Sequence, residues 1–179
     1  MLSQILRFLL DTVFGFIVFV LLARFYLQLL RAPFRNPLGQ FVTALTNWLV
    51  LPARRLIPGL FGLDLASILL AWLIEALLLF LLYLLKGGSI GAASGMLAGV
   101  FFSLALLELA RFSLYLLIGV ILVQAVISWV NPYAPLAPLF DALAGPFLRP
   151  FRRLIPPIGS VDLSPLFALV VIQLLLASP

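Results

Sequence analysis

Two short stretches repeat one basic, proline-bracketed pattern, Pro52-Ala53-Arg54-Arg55-Leu56-Ile57-Pro58 and Pro150-Phe151-Arg152-Arg153-Leu154-Ile155-Pro156, each followed by an Asp-Leu pair at 64–65 and 162–163. Guanidinium groups present planar forks of donors that pair two-pronged with phosphate or carboxylate. Arg54, Arg55, Arg152 and Arg153, with Arg149 beside them, are therefore candidates for holding lipid headgroups, haem propionates or an acidic partner, and two parallel halves would bring them into one composite patch. The simpler alternative is topogenic, the arginines merely keeping their loops in the cytoplasm. A second set lies within apolar runs: Glu75, about eleven residues and ~16 Å of helix beyond Asp64, Arg24 in the preceding run, and Gln173 at the position equivalent to Glu75. Ionisable groups at such depth need partners. Arg24 could neutralise Glu75 as a helix-clamping pair, the reading a single such group favours, or Glu75 could belong to an ion or proton path. A third set caps helices: Asp64, and Asp162 or Ser164, stand just before apolar runs where their oxygens can accept from orphan N–H groups.

Histidine and cysteine are both absent, which removes disulfides, Cys/His zinc sites, thiol nucleophiles and Ser-His-Asp triads. The six acids are dispersed along the chain, so no catalytic residue, metal site or cofactor is expected, and the protein is read as a non-enzyme. Of the 179 residues, 65% are hydrophobic and 9% charged, with a mean hydropathy of +1.28; soluble domains sit near half apolar and a quarter charged. The chain is expected to reside in a membrane. Its net charge of +5 then points to cytoplasmic loops and anionic headgroups, and direct nucleic-acid binding is not expected. Asp11 interrupts the first apolar run, so a cleaved signal peptide is not expected.

The elements that must position these residues follow from the runs between them. Residues 5–30 are long enough to span, and Pro33 and Pro37 stop that helix. Residues 38–50 are too short to span; Leu38, Phe41, Leu45 and Leu49 share one helical face, and Gln40, Thr43 and Asn47 another, so this segment should lie in the interface with Trp48 at headgroup depth. A second span follows Asp64 and closes at Lys86-Gly87-Gly88. A shift of 98 residues then carries Arg54-Arg55 onto Arg152-Arg153 and Asp64 onto Asp162, with Leu139, Leu143 and Phe147 as the apolar face of a second interfacial segment, 138–148. The expected architecture is all-α: four transmembrane helices in two parallel repeats, 1–86 and 96–179, joined by a small-residue linker, 87–95, each repeat with an interfacial amphipathic helix and a Pro-Arg-Arg-Pro loop. Arginine bias places both loops in the cytoplasm and both termini outside. Residues 96–130 would make one helix of ~52 Å, so residues 96–107 are expected on or beside the outer surface. There, Arg7 with Asp11 and Glu108 with Arg111 could pair at helix ends.

Ser128-Trp129-Val130-Asn131-Pro132, Pro146, Pro150, Arg152-Arg153, Ile155-Pro156, Asp162 and Ser164-Pro165 together resemble the signature of the YggT family, also called YlmG, and the first half resembles a degraded copy. The resemblance implies a small multi-pass protein of the bacterial cytoplasmic membrane, with relatives in plastid membranes. It also implies roles of the kind connected with such relatives: cytochrome assembly and haem handling, nucleoid or septum organisation, and osmotic or potassium tolerance. It carries over no catalytic residue. The expected function is a membrane scaffold or assembly factor with a basic cytoplasmic face; the alternative is a channel or transporter component in osmotic or potassium homeostasis. Expected partners are the bilayer, above all anionic lipids, and a membrane protein the sequence does not name, with assembly into a homo-oligomer left open.

Overall fold

Six helices in the order α1 (Leu2–Leu29), α2 (Pro37–Leu56), α3 (Leu65–Leu85), α4 (Ser94–Val130), α5 (Ala137–Leu154) and α6 (Ser164–Ala177) make up the computed structural model, which describes residues 1–33, 35–57, 64–88, 94–154 and 162–177. No strand occurs among the described residues. The helix ends follow local chemistry. At the end of α1 the N–H of Ala32 returns to the Leu27 carbonyl (2.9 Å), with Arg31 between them at φ 50°. That is the six-to-one closure usually given to glycine. The end of α3 repeats it with a glycine in place: Gly87 stands at φ 84° and the Gly88 N–H bonds the Tyr83 carbonyl at 3.1 Å. Asn36 starts α2, its side chain accepting from the Gly39 N–H at 2.8 Å, with Pro37 at the first helical position, where a missing N–H costs nothing.

α1, α3 and α4 are long and apolar enough to cross a membrane; α6 is apolar but has only 14 residues, and four spans would require it to be the fourth. Less than a third of each long apolar window is buried inside the protein. The rest faces outward, which is stable only in apolar surroundings, because lipid removes the cost of exposing leucine. The contacts between spans use small residues: Ala66, Ala71 and Ala76 of α3 are buried, letting backbones approach closely. α1 packs chiefly on α3, α3 also on α4, and α4 on α5 and α6; α2 bridges α1 to α3 as α5 bridges α4 to α6. The same arrangement thus occurs twice. The central cluster joins Val18, Leu21 and Leu22 of α1 to Val50, Ala71 and Leu116, while Leu27, Val42, Leu139 and Leu143 bring the two bridging helices to the same end of the bundle.

Two expectations are corrected here. The arginine pairs are helical, in the last turns of α2 and α5, because the prolines at 52, 146 and 150 do not end those helices; cations in a last turn also favour the helix dipole. Pro58, Ile155 and Pro156 lie outside the described residues. Residues 96–107 do not leave the bundle: they continue α4, a single helix of 37 residues and ~55 Å, and pack along α3. The Trp72 indole N–H donates to the Phe102 carbonyl at 2.9 Å, and Phe101 meets the rings of Phe80 and Tyr83. The buried face of α2 is Gly39, Val42, Thr46 and Val50, whereas Leu38 and Phe41 of the interfacial apolar face are exposed. The face that packs on α1 is thus rotated from the one the apolar pattern marks. Of the linker, residues 89–93 lie outside the description.

Candidate functional site at the arginine-rich end

Arg24, five residues before the end of α1, is buried with Thr46, Asp64 and Ser67. Its Nε donates to Asp64 Oδ2 at 3.1 Å, and its Nη1 to Thr46 Oγ1 at 2.7 Å and Asn47 Oδ1 at 2.9 Å. Thr46 passes its own proton to the Val42 carbonyl at 2.7 Å, which leaves its oxygen free to accept from the arginine. Asp64 also receives Arg54 Nη2 at 2.6 Å, Arg54 Nε at 3.2 Å and Ser67 Oγ at 2.8 Å. One carboxylate therefore serves two guanidinium groups. The cluster ties the end of α1, the middle and end of α2 and the start of α3 into one unit, and it carries a surplus positive charge. Burial pushes the Asp64 carboxyl up, but hydrogen bonds from Arg54 and Ser67 and the charges of Arg54 and Arg24 outweigh it and hold the carboxyl below its ordinary range.

The second unit repeats this in lighter form. Arg152 Nε donates to Asp162 Oδ2 at 2.8 Å, and Asp162 Oδ1 accepts the Ser164 N–H at 2.9 Å. Burial raises the Asp162 carboxyl, while Ser164 and Arg152 together draw it below the usual range. In place of Arg24 stands Gln124, 4% exposed, whose Nε2 donates to Asp141 Oδ1 at 3.1 Å. Gln124 links α4 to α5 as Arg24 links α1 to α2.

The expected cap at Asp162 is thus present on the backbone of Ser164, a buried residue at the start of α6. Asp64 holds the N-cap position of α3, but its side chain caps no N–H, because four donor groups from Arg24, Arg54 and Ser67 occupy it. Arg24 does not clamp Glu75: its donors are committed to Asp64, Thr46 and Asn47. Glu75 is 3% exposed, its Oε2 has no hydrogen-bond partner among the described residues, and the charges near it are Glu108 and Asp11. Gln173 is exposed on α6. Arg54 and Arg152 each turn to the aspartate of their own unit; Arg55, Arg149 and Arg153 are exposed, and no ion pair engages them among the described residues. The pairs Arg7–Asp11 (3.5 Å) and Glu108–Arg111 (2.9 Å) form as their spacing implies.

Thr46 and Gln124 were not marked by the sequence, and Asn47 and Asp64 were assigned other roles. Gln124 carries a usable signal, a lone amide in a long apolar run, but the 98-residue shift that registers the arginine pairs sets Leu122 opposite Arg24. A shift of 100 is needed there.

Comparison with known proteins bears on the same two units. The CCB3/YggT family model matches residues 3–85 and again 103–178. The chain belongs to the CCB3/YggT family. Family relatives include the uncharacterized protein PA0392 of Pseudomonas aeruginosa, 41% identical over 94% of this chain and 84% of that protein. An uncharacterized protein of Vibrio alginolyticus, described by its position in the proC 3′ region, is 35% identical over 94% of this chain and 89% of its own length. The uncharacterized protein YggT of Escherichia coli K12 is 33% identical over 95% and 86%. No solved structure matches the chain.

Proposed function

We propose that this chain is a non-enzymatic scaffold or assembly factor of the bacterial cytoplasmic membrane whose arginine-rich end recruits anionic lipid and, through it or beside it, a membrane-protein partner. The observation that carries this reading is the division of labour within each arginine pair. Arg54 and Arg152 turn to the chain's own aspartates, while Arg55 and Arg153, with Arg31, Arg35 and Arg149 at the same end, are exposed and have no ion-pair partner among the described residues. A charge that the fold does not use is available to a surface. In this reading α6 is the fourth span, the repeats run 1–86 and 96–179 about the 87–95 linker, the arginine-rich end faces the cytoplasm and the termini lie outside. α2 and α5 then rest in the headgroup layer, with Phe41 and Trp48, both exposed, turned to lipid.

Attraction to an anionic leaflet is worth about 1 kcal/mol per arginine, so neutralising three should weaken it on the order of a hundredfold. The test is retention of phosphatidylglycerol, measured by native mass spectrometry, and photo-cross-linking in native membranes, for the Arg55→Gln/Arg149→Gln/Arg153→Gln variant. Loss of both lipid and cross-linked partner is expected. A variant that inserts normally and retains both would reduce these arginines to topological markers.

A further inference from the structure

The exchange of Arg24 for Gln124 leaves something behind. Where the first unit is filled by a guanidinium, the second contains a cavity of about 270 Å³ between α4 and α5, lined by Gln124, Ile127, Ser128, Pro132, Asp141 and Arg152 among others. Gln124 is 4% exposed and donates through Nε2 to Asp141, which fixes the amide's orientation and turns Oε1 away from that carboxylate. Oε1 is buried and has no hydrogen-bond partner among the described residues. A buried carbonyl oxygen left unpaired is costly, and the side chain that carries it lines an open polar space. The lining carries one acid and one base, and they are not paired with each other among the described residues. Arg152 is paired with Asp162 at 2.8 Å, whereas Asp141 receives only the neutral amide among the described residues, which leaves it the carboxylate of the lining without a cationic partner there. An orphan acceptor, a carboxylate and the Ser128 hydroxyl form a set of acceptors that calls for a cationic donor.

The first unit shows which donor suits this place. There the site between the first span and its bridging helix holds a planar cation that donates to a hydroxyl, an amide oxygen and a carboxylate at once. We propose that the α4–α5 cavity binds a guanidinium- or ammonium-bearing small organic molecule, whose cationic head takes the position that Arg24 occupies in the first unit. Gln124 Oε1 and Asp141 accept from the head, and Ser128 adds a third acceptor. Arg152, tied to Asp162, marks the rim and disfavours a ligand carrying a second positive charge close to the first.

The test uses the full chain in detergent, with methylguanidinium as the probe followed by saturation-transfer NMR and sodium and potassium as competitors. The parent should give transfer that neither alkali ion reverses at equal concentration. Gln124→Leu, which keeps the volume and removes the acceptor, and Asp141→Asn should each weaken binding at least tenfold. Gln124→Arg should abolish it while raising the resistance of the protein to unfolding, because the chain then supplies the missing guanidinium itself. Absence of transfer in the parent, equal transfer in the Leu and Asn variants, or a Gln124→Arg protein that folds less stably would overturn the assignment. Displacement by potassium at equal concentration would overturn it as well, in favour of a simple alkali-ion site.

Discussion

Asp64→Asn should be the most damaging single substitution at the arginine-rich end. The change is isosteric, so its effect is electrostatic: Arg24, whose side chain is 4% exposed, loses its only carboxylate and faces an amide that can itself only donate from one end. Removing one partner of a buried ion pair costs about 3–5 kcal/mol because the other charge is left uncompensated. Arg54→Gln should be much milder, about 1–2 kcal/mol, since the Arg54 side chain is 39% exposed and Asp64 keeps Arg24 and Ser67. Arg24→Met falls between them, leaving Thr46 and Asn47 without their donor but Asp64 still paired. The double variant Arg24→Met/Asp64→Leu should recover much of what Asp64→Asn loses, because it leaves no buried charge. Reversible unfolding of the detergent-solubilised protein by dodecyl sulfate, followed by circular dichroism, reads these differences; 3–5 kcal/mol is about two to three and a half decades in the folded-to-unfolded ratio. Asp162→Asn is the control in the second unit, where the pair is more exposed, and should cost about 1 kcal/mol. Equal losses for Asp64→Asn and Arg54→Gln would refute the claim that burial of Arg24 sets the scale.

Three more outcomes follow from the same geometry. Asp64 and Asp162 are held below the ordinary carboxylate range, so their contribution is complete above the unfolded value of about 3.9 and drains away as pH falls below it toward the depressed folded values; an unfolding series in acid should show this, and the Asp64→Asn protein should show less of it. Single cysteines placed at 55 and 153 in this cysteine-free chain should resist an impermeant thiol reagent in intact cells and react in inverted vesicles; labelling from outside would reverse the proposed orientation. Gly87→Ala should cost about 1 kcal/mol in the same unfolding titration, purely from the backbone, because φ is 84° and the added Cβ would meet nothing within 4 Å.

Much of the helical plan was legible because apolar periodicity and proline spacing act locally. The six segments and the i,i+3 and i,i+4 ion pairs all depend on neighbours a turn or two away. The partnership of Arg24 was not legible. Its carboxylate lies 40 residues on, and two acids, Asp64 and Glu75, offered equally plausible charges; depth counted along the helix favoured Glu75, but Arg24 is five residues from the helix end, within reach of the start of α3. Asp64 was ambiguous for the same reason, since an aspartate before a helix can cap an N–H or accept from a cation, and only the packing of α1 against α3 decides. The inward face of α2 was not legible because Thr46 is polar, and a polar residue reads as solvated until its buried partner is known.

The placement of Arg24 also bears on how the protein is made. When α1 first leaves the insertion machinery, the residues that will satisfy its guanidinium, Thr46, Asn47 and Asp64, have not yet been delivered to the membrane. A lone cation that far into an apolar segment resists settling in hydrocarbon, so α1 should be held shallow, or against the machinery, until α2 and the start of α3 arrive about 40 residues later in synthesis. The cluster closes only when three consecutive helices are present, and a chain interrupted before residue 64 would leave Arg24 without the carboxylate that answers its charge.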